Sequence, residues 1–206
     1  MTQLGFYFDN SRCTGCKTCE MACKDYKDLG EDILFRKVYD FEGGVWSAND
    51  DGGWDTTTFS YHVSAACNHC AAPACQSVCP TEAILRDEET GLVYIDEEAC
   101  ISCEACVAGC PYSVPKMDPI TNMARKCDGC LERVKAGQKA ICAEACPLRA
   151  LELDEIEKLR KEHGELDQIA PLPANATGPH LVIKASPAVE VAAGEKGFVA
   201  NEKEIA

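Results

Sequence analysis

Cys100-Ile-Ser-Cys103-Glu-Ala-Cys106-Val-Ala-Gly-Cys110-Pro111 sets the architecture of the whole protein. Three thiols fall within seven residues, and a fourth follows just before a proline. This C-x2-C-x2-C-x3-C-P run has the spacing that wraps a cubane iron-sulfur cluster, with its last cysteine serving a neighbouring cluster. One such run therefore requires a partner. Three more quartets are present: Cys13, Cys16, Cys19 and Cys23; Cys67, Cys70, Cys75 and Cys79; Cys127, Cys130, Cys142 and Cys146. Together the quartets use all 16 cysteines.

Two rival chemistries also consume cysteines in even numbers. Cysteine-dense secreted scaffolds form disulfides, but they are usually shorter, and neighbouring C-x2-C pairs bridge poorly while binding metal well. Structural zinc takes two such pairs separated by a sizeable loop. Three ligands packed into Cys13/16/19 or Cys100/103/106 suit a larger body than a single ion.

A length of 206 residues allows one or two small domains. The formal charge of -14 and the lack of any Lys/Arg run longer than two exclude a general nucleic-acid binder. Basic residues beside cysteine loops, such as Arg125-Lys126, either tune cluster potentials or are simply solvated, and the solvated reading is the commoner one. No run of 18 apolar residues offers a membrane span. The start, Met-Thr-Gln-Leu-Gly-Phe-Tyr-Phe, lacks a charged n-region and twin arginines, so no export signal is expected and export would rely on a partner.

Along the chain, aromatic alternation predicts a strand over Leu4 to Asp9. Gly15 reads either as a turn glycine or as a residue that lets amides approach the sulfurs. Two β-biased runs, Ile33 to Phe41 and Thr56 to Val63, predict a hairpin with a long acidic turn flanked by Trp46 and Trp54, which are expected to anchor it by packing, the alternative being contact with a partner. Apolar runs around Asp-Glu-Glu-Thr-Gly between Cys79 and Cys100 predict a second hairpin. Cys146-Pro-Leu-Arg-Ala-Leu echoes Cys79-Pro-Thr-Glu-Ala-Ile, which points to an internal duplication. Prolines follow the last cysteine of every quartet except the first, where Lys24 stands. Asp154-Glu-Ile-Glu157 predicts a capping box opening a helix that ends at Gly164.

The expected fold class is α+β, built as two interleaved bacterial-ferredoxin-like units. Residues 1–32 with 112–164 form one unit and 67–111 the other, with a β-hairpin insertion at 33–66. Residues 165–206 read as an extended tail laid along a partner; the alternative is that Leu181-Val-Ile packs on its own domain.

The exchange rule of two-cluster ferredoxins then assigns ligands for four [4Fe-4S] clusters. Cys13, Cys16, Cys19 and Cys146 hold the first; Cys23, Cys127, Cys130 and Cys142 the second. Cys67, Cys70, Cys75 and Cys110 hold the third; Cys79, Cys100, Cys103 and Cys106 the fourth. Fully ligated cubanes leave no open iron position, so the reading is an electron wire with no catalytic residues. His62, His69, His163 and His180 read as surface or packing residues, because nothing in the sequence sets a carboxylate or nucleophile beside them.

Cys13-Thr-Gly-Cys-Lys-Thr-Cys-Glu-Met-Ala-Cys-Lys-Asp-Tyr-Lys-Asp-Leu, Lys126-Cys-Asp-Gly-Cys, Lys161-Glu-His-Gly and Ala170-Pro-Leu-Pro closely resemble the iron-sulfur subunits of the dimethyl sulfoxide reductase family. The resemblance runs over nearly the whole length and is loosest at 42–58 and 185–206. It implies a non-catalytic subunit that relays electrons from a quinol-oxidising membrane anchor subunit to a molybdopterin catalytic subunit. It also implies a place at the outer face of the cytoplasmic membrane, reached with a signal-bearing partner. The related nitrate reductase subunit carries a tryptophan in its third quartet and a three-iron cluster; here all four cysteines, Cys106 included, are present. The matching subunit of a tetrathionate, polysulfide or formate enzyme, and a free polyferredoxin, remain alternatives.

Overall fold

Phe6 and Phe8 face the main core, while Tyr7 on the opposite face packs on Ile156, Leu159 and Val182. The first strand is therefore buried on both sides, and it organises the sheet around it. In the computed structural model, which describes residues 2–205, this strand is β1 (Leu4–Asp9), followed by α1 (Thr18–Tyr26). The cysteine-free insertion supplies β2 (Lys37–Gly43), β3 (Trp46–Ala48), β4 (Trp54–Thr56) and β5 (Phe59–Ala65). Next come α2 (Ala74–Ser77), β6 (Ile84–Arg86), β7 (Val93–Ile95) and α3 (Ala105–Gly109). They are followed by β8 (Lys116–Met117), β9 (Ala124–Arg125), α4 (Leu131–Lys135), α5 (Ile141–Ala145), β10 (Leu151–Glu155) and α6 (Ile156–His163). The last segment holds β11 (Leu181–Lys184), α7 (Pro187–Ala192) and β12 (Gly197–Val199). The result is a small α+β fold.

β1 pairs antiparallel with β10 and parallel with β11, and β2 pairs antiparallel with both β5 and β12. Both three-stranded sheets thus need a strand from beyond residue 180. This corrects the tail reading. Val182 and Ile183 are 0% and 1% exposed, so the apolar triplet fills the protein's own sheet and not a partner's groove. Such burial is worth roughly 1.5–3 kcal/mol for each aliphatic side chain. The long turn of the insertion is also more ordered than its acidic sequence implied, since β3 and β4 form a nested hairpin with Trp46 opposite Thr56 and Trp54 opposite Ala48. Its two tryptophans do not anchor it: they are 62% and 65% exposed.

The hairpin predicted between the second and third quartets is β6–β7, with Ile84 opposite Ile95. A smaller one, β8–β9, follows the third quartet and has no counterpart in the sequence reading. The expected capping box does not form, because α6 starts after Glu155 with no side-chain cap. Asp154 instead accepts the Glu155 N–H at 2.7 Å and pairs with Lys158. The helix does end at Gly164, whose φ of 92° is open to glycine.

Prolines shape the cysteine loops. The short helices α2, α3 and α5 stop just before Cys79, Cys110 and Cys146, each followed by proline, and the backbone then turns through a left-handed residue: Glu82 (φ 56°), Ser113 (φ 51°) or Arg149 (φ 51°). Lys24 follows Cys23, and without that break α1 runs on to Tyr26.

Candidate cluster-binding sites

All sixteen cysteines are free thiols, and the fold gathers them into four groups. One cavity is lined by Cys13, Cys16, Cys19 and Cys146. A second is lined by Cys67, Cys70, Cys75 and Cys110. A third is lined by Cys79, Cys100, Cys103 and Cys106. Cys23, Cys127, Cys130 and Cys142 are buried together, close enough for Cys142 and Cys130 to act on the Cys23 thiol. Each group joins cysteines of two different quartets.

Helix packing brings these distant cysteines together. α1, carrying Cys19 and Cys23, packs on α5, carrying Cys142; α2, carrying Cys75, packs on α3, carrying Cys106. The groups also adjoin one another. Cys19 feels Cys142, and Cys127 feels both Cys67 and Cys23, so the second group lies between the first and the third.

A shared backbone device surrounds the sulfurs. In each quartet the residue just before the second cysteine is left-handed: Gly15 (φ 66°), His69 (φ 43°), Ser102 (φ 59°) and Gly129 (φ 70°). Gly15 and Gly129 also have no room for a side chain, since a Cβ would fall on the His62 ring or on Leu92. This conformation turns amides toward sulfur: His69 N–H donates to Cys67 Sγ and Gly129 N–H to Cys127 Sγ, both at 3.4 Å. Ala150 N–H donates to Cys146 Sγ at 3.3 Å. Such donors favour the thiolate form that binds metal.

The thiols are nonetheless ill at ease without a cation. Burial pushes Cys13 up to about 11 and Cys23 and Cys75 to about 12, and neighbouring cysteines add to each shift. Clustered thiols of this kind give up their protons when a metal takes their place. A single ion does not fit, because among the described residues no three His, Cys, Asp or Glu side chains converge as one ion requires. Four thiol donors ringing each cavity from two separate loops suit a polyatomic iron-sulfur cluster.

Three contributors had no legible signal in the sequence. Thr177, in the tail, donates its hydroxyl to Cys70 Sγ at 3.0 Å, and the adjoining backbone closes that cavity through Ala71 N–H to Gly178 O at 2.7 Å. Ser64 places its hydroxyl 3.4 Å from Cys19 Sγ. Arg36 is buried beside it. Lys126, read as a solvated residue, is 5% exposed, with its ammonium 3.7 Å from Cys67 Sγ.

The histidines do pack. His69 lies in the core, where burial holds it neutral, and its Nδ1 accepts the Val93 N–H at 2.9 Å. His180 is buried against it, bonding the His69 carbonyl at 2.6 Å. His163 stacks on Tyr7 with ring centroids 3.9 Å apart. Against expectation, His62 does have a carboxylate beside it, Asp40 at 2.8 Å.

Comparison with known proteins agrees with this geometry. The 4Fe-4S dicluster domain family matches residues 58–156, and the 4Fe-4S binding domain family matches residues 6–25. The B subunit of anaerobic dimethyl sulfoxide reductase from Haemophilus influenzae is 49% identical over 206 residues, covering both sequences in full. Its counterpart in Escherichia coli is 48% identical over 205 residues, 99% of each. The chain is a member of the family of dimethyl sulfoxide reductase B subunits. More distantly, the thiosulfate reductase electron transfer subunit of Salmonella typhi is 37% identical over 151 residues, 73% of this sequence and 74% of that one. Members of this wider set are iron-sulfur electron-transfer subunits, and this protein is one of them, not a catalytic subunit. No helix among the described residues is long and apolar enough to cross a membrane.

Proposed function

We propose that the protein holds four [4Fe-4S] clusters in two interleaved ferredoxin-like units and relays electrons from a quinol-oxidising membrane anchor subunit to a molybdopterin catalytic subunit that reduces dimethyl sulfoxide. The supporting observation is the grouping itself: three cavities are each ringed by four cysteines drawn from exchanged quartets, and the remaining four are buried together. When bound, each cluster supplies one-electron redox chemistry. The protein's own residues do the rest. Cys13, Cys16, Cys19 and Cys146 hold the first cluster; Cys23, Cys127, Cys130 and Cys142 the second. Cys67, Cys70, Cys75 and Cys110 hold the third; Cys79, Cys100, Cys103 and Cys106 the fourth.

Backbone amides and the Thr177 hydroxyl stabilise thiolate charge, and the buried aliphatic walls exclude water from the inner groups. The exposure of Cys16 and Cys103 supports a reading in which the first and fourth groups exchange electrons with the partners. The complex then sits at the outer face of the cytoplasmic membrane. Likeness to the thiosulfate reductase subunit supports a second reading, in which the catalytic partner takes another substrate.

Anaerobic purification of the native complex tests this. About 16 iron and 16 acid-labile sulfide per copy are expected for four cubanes, together with a co-purifying molybdenum subunit. Dimethyl sulfoxide reduction by that subunit, assayed beside thiosulfate, separates the two substrates. A lone monomeric carrier would overturn the relay, and zinc in place of iron would overturn the clusters.

A further inference from the structure

Arg36 and Lys126 are two cations buried among the cysteines, and neither bonds a carboxylate. Arg36 is 2% exposed and Lys126 5%. The Arg36 Nη1 donates to the Ser64 carbonyl at 3.3 Å and to its hydroxyl at 3.1 Å, while Nε and Nη2 have no partner among the described residues. Phe6 covers one face, its ring centroid 4.7 Å from the guanidinium carbon. The Ser64 hydroxyl that accepts from Arg36 lies 3.4 Å from Cys19 Sγ, so the guanidinium stands beside the first group. Lys126 stands where the second group meets the third. Its ammonium donates to the Val93 carbonyl, to the Cys127 carbonyl at 2.9 Å, and toward Cys67 Sγ at 3.7 Å.

The fourth group lacks such a charge, and the first shares Arg36 with the second. Among the described residues no Lys or Arg lines the fourth cavity, and Lys17 beside the first is partly exposed and paired with Glu204. A methionine could fill the space of either buried cation without the desolvation loss, so packing does not account for them. A fixed positive charge stabilises whichever state is more negative, and reduction adds one electron to a cluster already held by four thiolates.

We propose that Arg36 and Lys126 are potential-setting residues that raise the reduction potentials of the clusters they adjoin above that of the fourth. Arg36 acts where the first cluster meets the second, beside Cys19. Lys126 acts chiefly on the cluster of Cys67, Cys70, Cys75 and Cys110. The inference rests on the four-cluster reading, which iron and sulfide analysis of the wild-type complex tests separately.

The decisive measurement is an EPR-monitored redox titration of the intact complex carrying Arg36→Met, Arg36→Lys, Lys126→Met or Lys126→Arg. Each methionine variant is expected to shift one cluster's reduction equilibrium at least tenfold toward the oxidised form, a fall of about 59 mV or more. The charge-keeping variants should restore most of it, and the cluster of Cys79, Cys100, Cys103 and Cys106 should not move. Should Arg36→Met assemble fewer clusters than wild type, the Lys126 pair and Arg36→Lys decide by the same readout. Fully loaded methionine variants with wild-type potentials would overturn the proposal.

Discussion

The inner and outer cysteine groups share one spacing and differ in their surroundings. In the second and third groups seven cysteines are buried and Cys110 is half-buried. In the first and fourth, Cys16 and Cys103 are exposed and Cys13, Cys79 and Cys100 half-buried. The third group is also backed by the tail, through Thr177, and by the buried Lys126. The fourth group, in contrast, is built from one continuous stretch with its own hairpin. A relay gives and takes electrons only at its ends, so exposure there and insulation in the middle is the arrangement that limits side reactions with water and oxygen.

Cys142→Ser set against Cys103→Ser should sharpen this contrast most. Each is expected to cost one cluster, about a quarter of the iron. Cys142, on α5 in the main core, should also take folding energy with it, since structural metal sites supply on the order of 10 kcal/mol. Cys103→Ser should leave the anaerobic thermal transition of the remainder nearly in place. Equal losses of stability would erase the distinction between inner and outer groups.

Next in size is Ile183→Ala in β11, expected to destabilise by about 2–5 kcal/mol. Chemical denaturation measures it, and a neutral result would mean that the tail does not complete the sheet. A smaller effect is expected from Thr177→Val, which removes the hydroxyl donor to Cys70 Sγ. One inner potential should fall while the other three and the melting temperature hold, a pattern that redox titration reads directly.

The smallest effect concerns pH. Burial lowers the His180 pKa in the folded protein, so between its folded value and the ordinary value of about 6.5 the unfolded state takes up a proton that the folded state does not. Stability is therefore full above pH ~6.5 and declines as pH falls below it, by at most about 1.4 kcal/mol per unit. His180→Asn should flatten the dependence of the urea midpoint between about pH 7 and 5.5, the range that brackets the ordinary histidine value; an unchanged slope would place the titration elsewhere.

Much of the fold was written in local pattern. The Leu4–Asp9 strand, the Ile84–Ile95 hairpin and the helix ending at Gly164 each follow from apolar period, turn residues or a glycine stop, which act over a few residues. The missing proline after Cys23 likewise foretells the longer α1. Other features were silent because they depend on contacts between distant segments. Nothing local distinguishes Leu181-Val-Ile as the third strand beside β1, because a parallel partner is chosen by the space left open on that edge. The left-handed residue before each second cysteine is glycine, histidine or serine, so residue type does not betray the repeated conformation.

For the site, the sequence by itself determined the cysteines and their spacing, because a short loop carrying three thiols can close on little besides a cluster. The tertiary structure alone decided which groups are buried, which cysteines face solvent, and that Ser64 and Arg36 lie beside Cys19, Lys126 beside Cys67 and Thr177 beside Cys70. Burial and electrostatic environment are sums over the whole packed molecule, and no spacing of residues along the sequence encodes them.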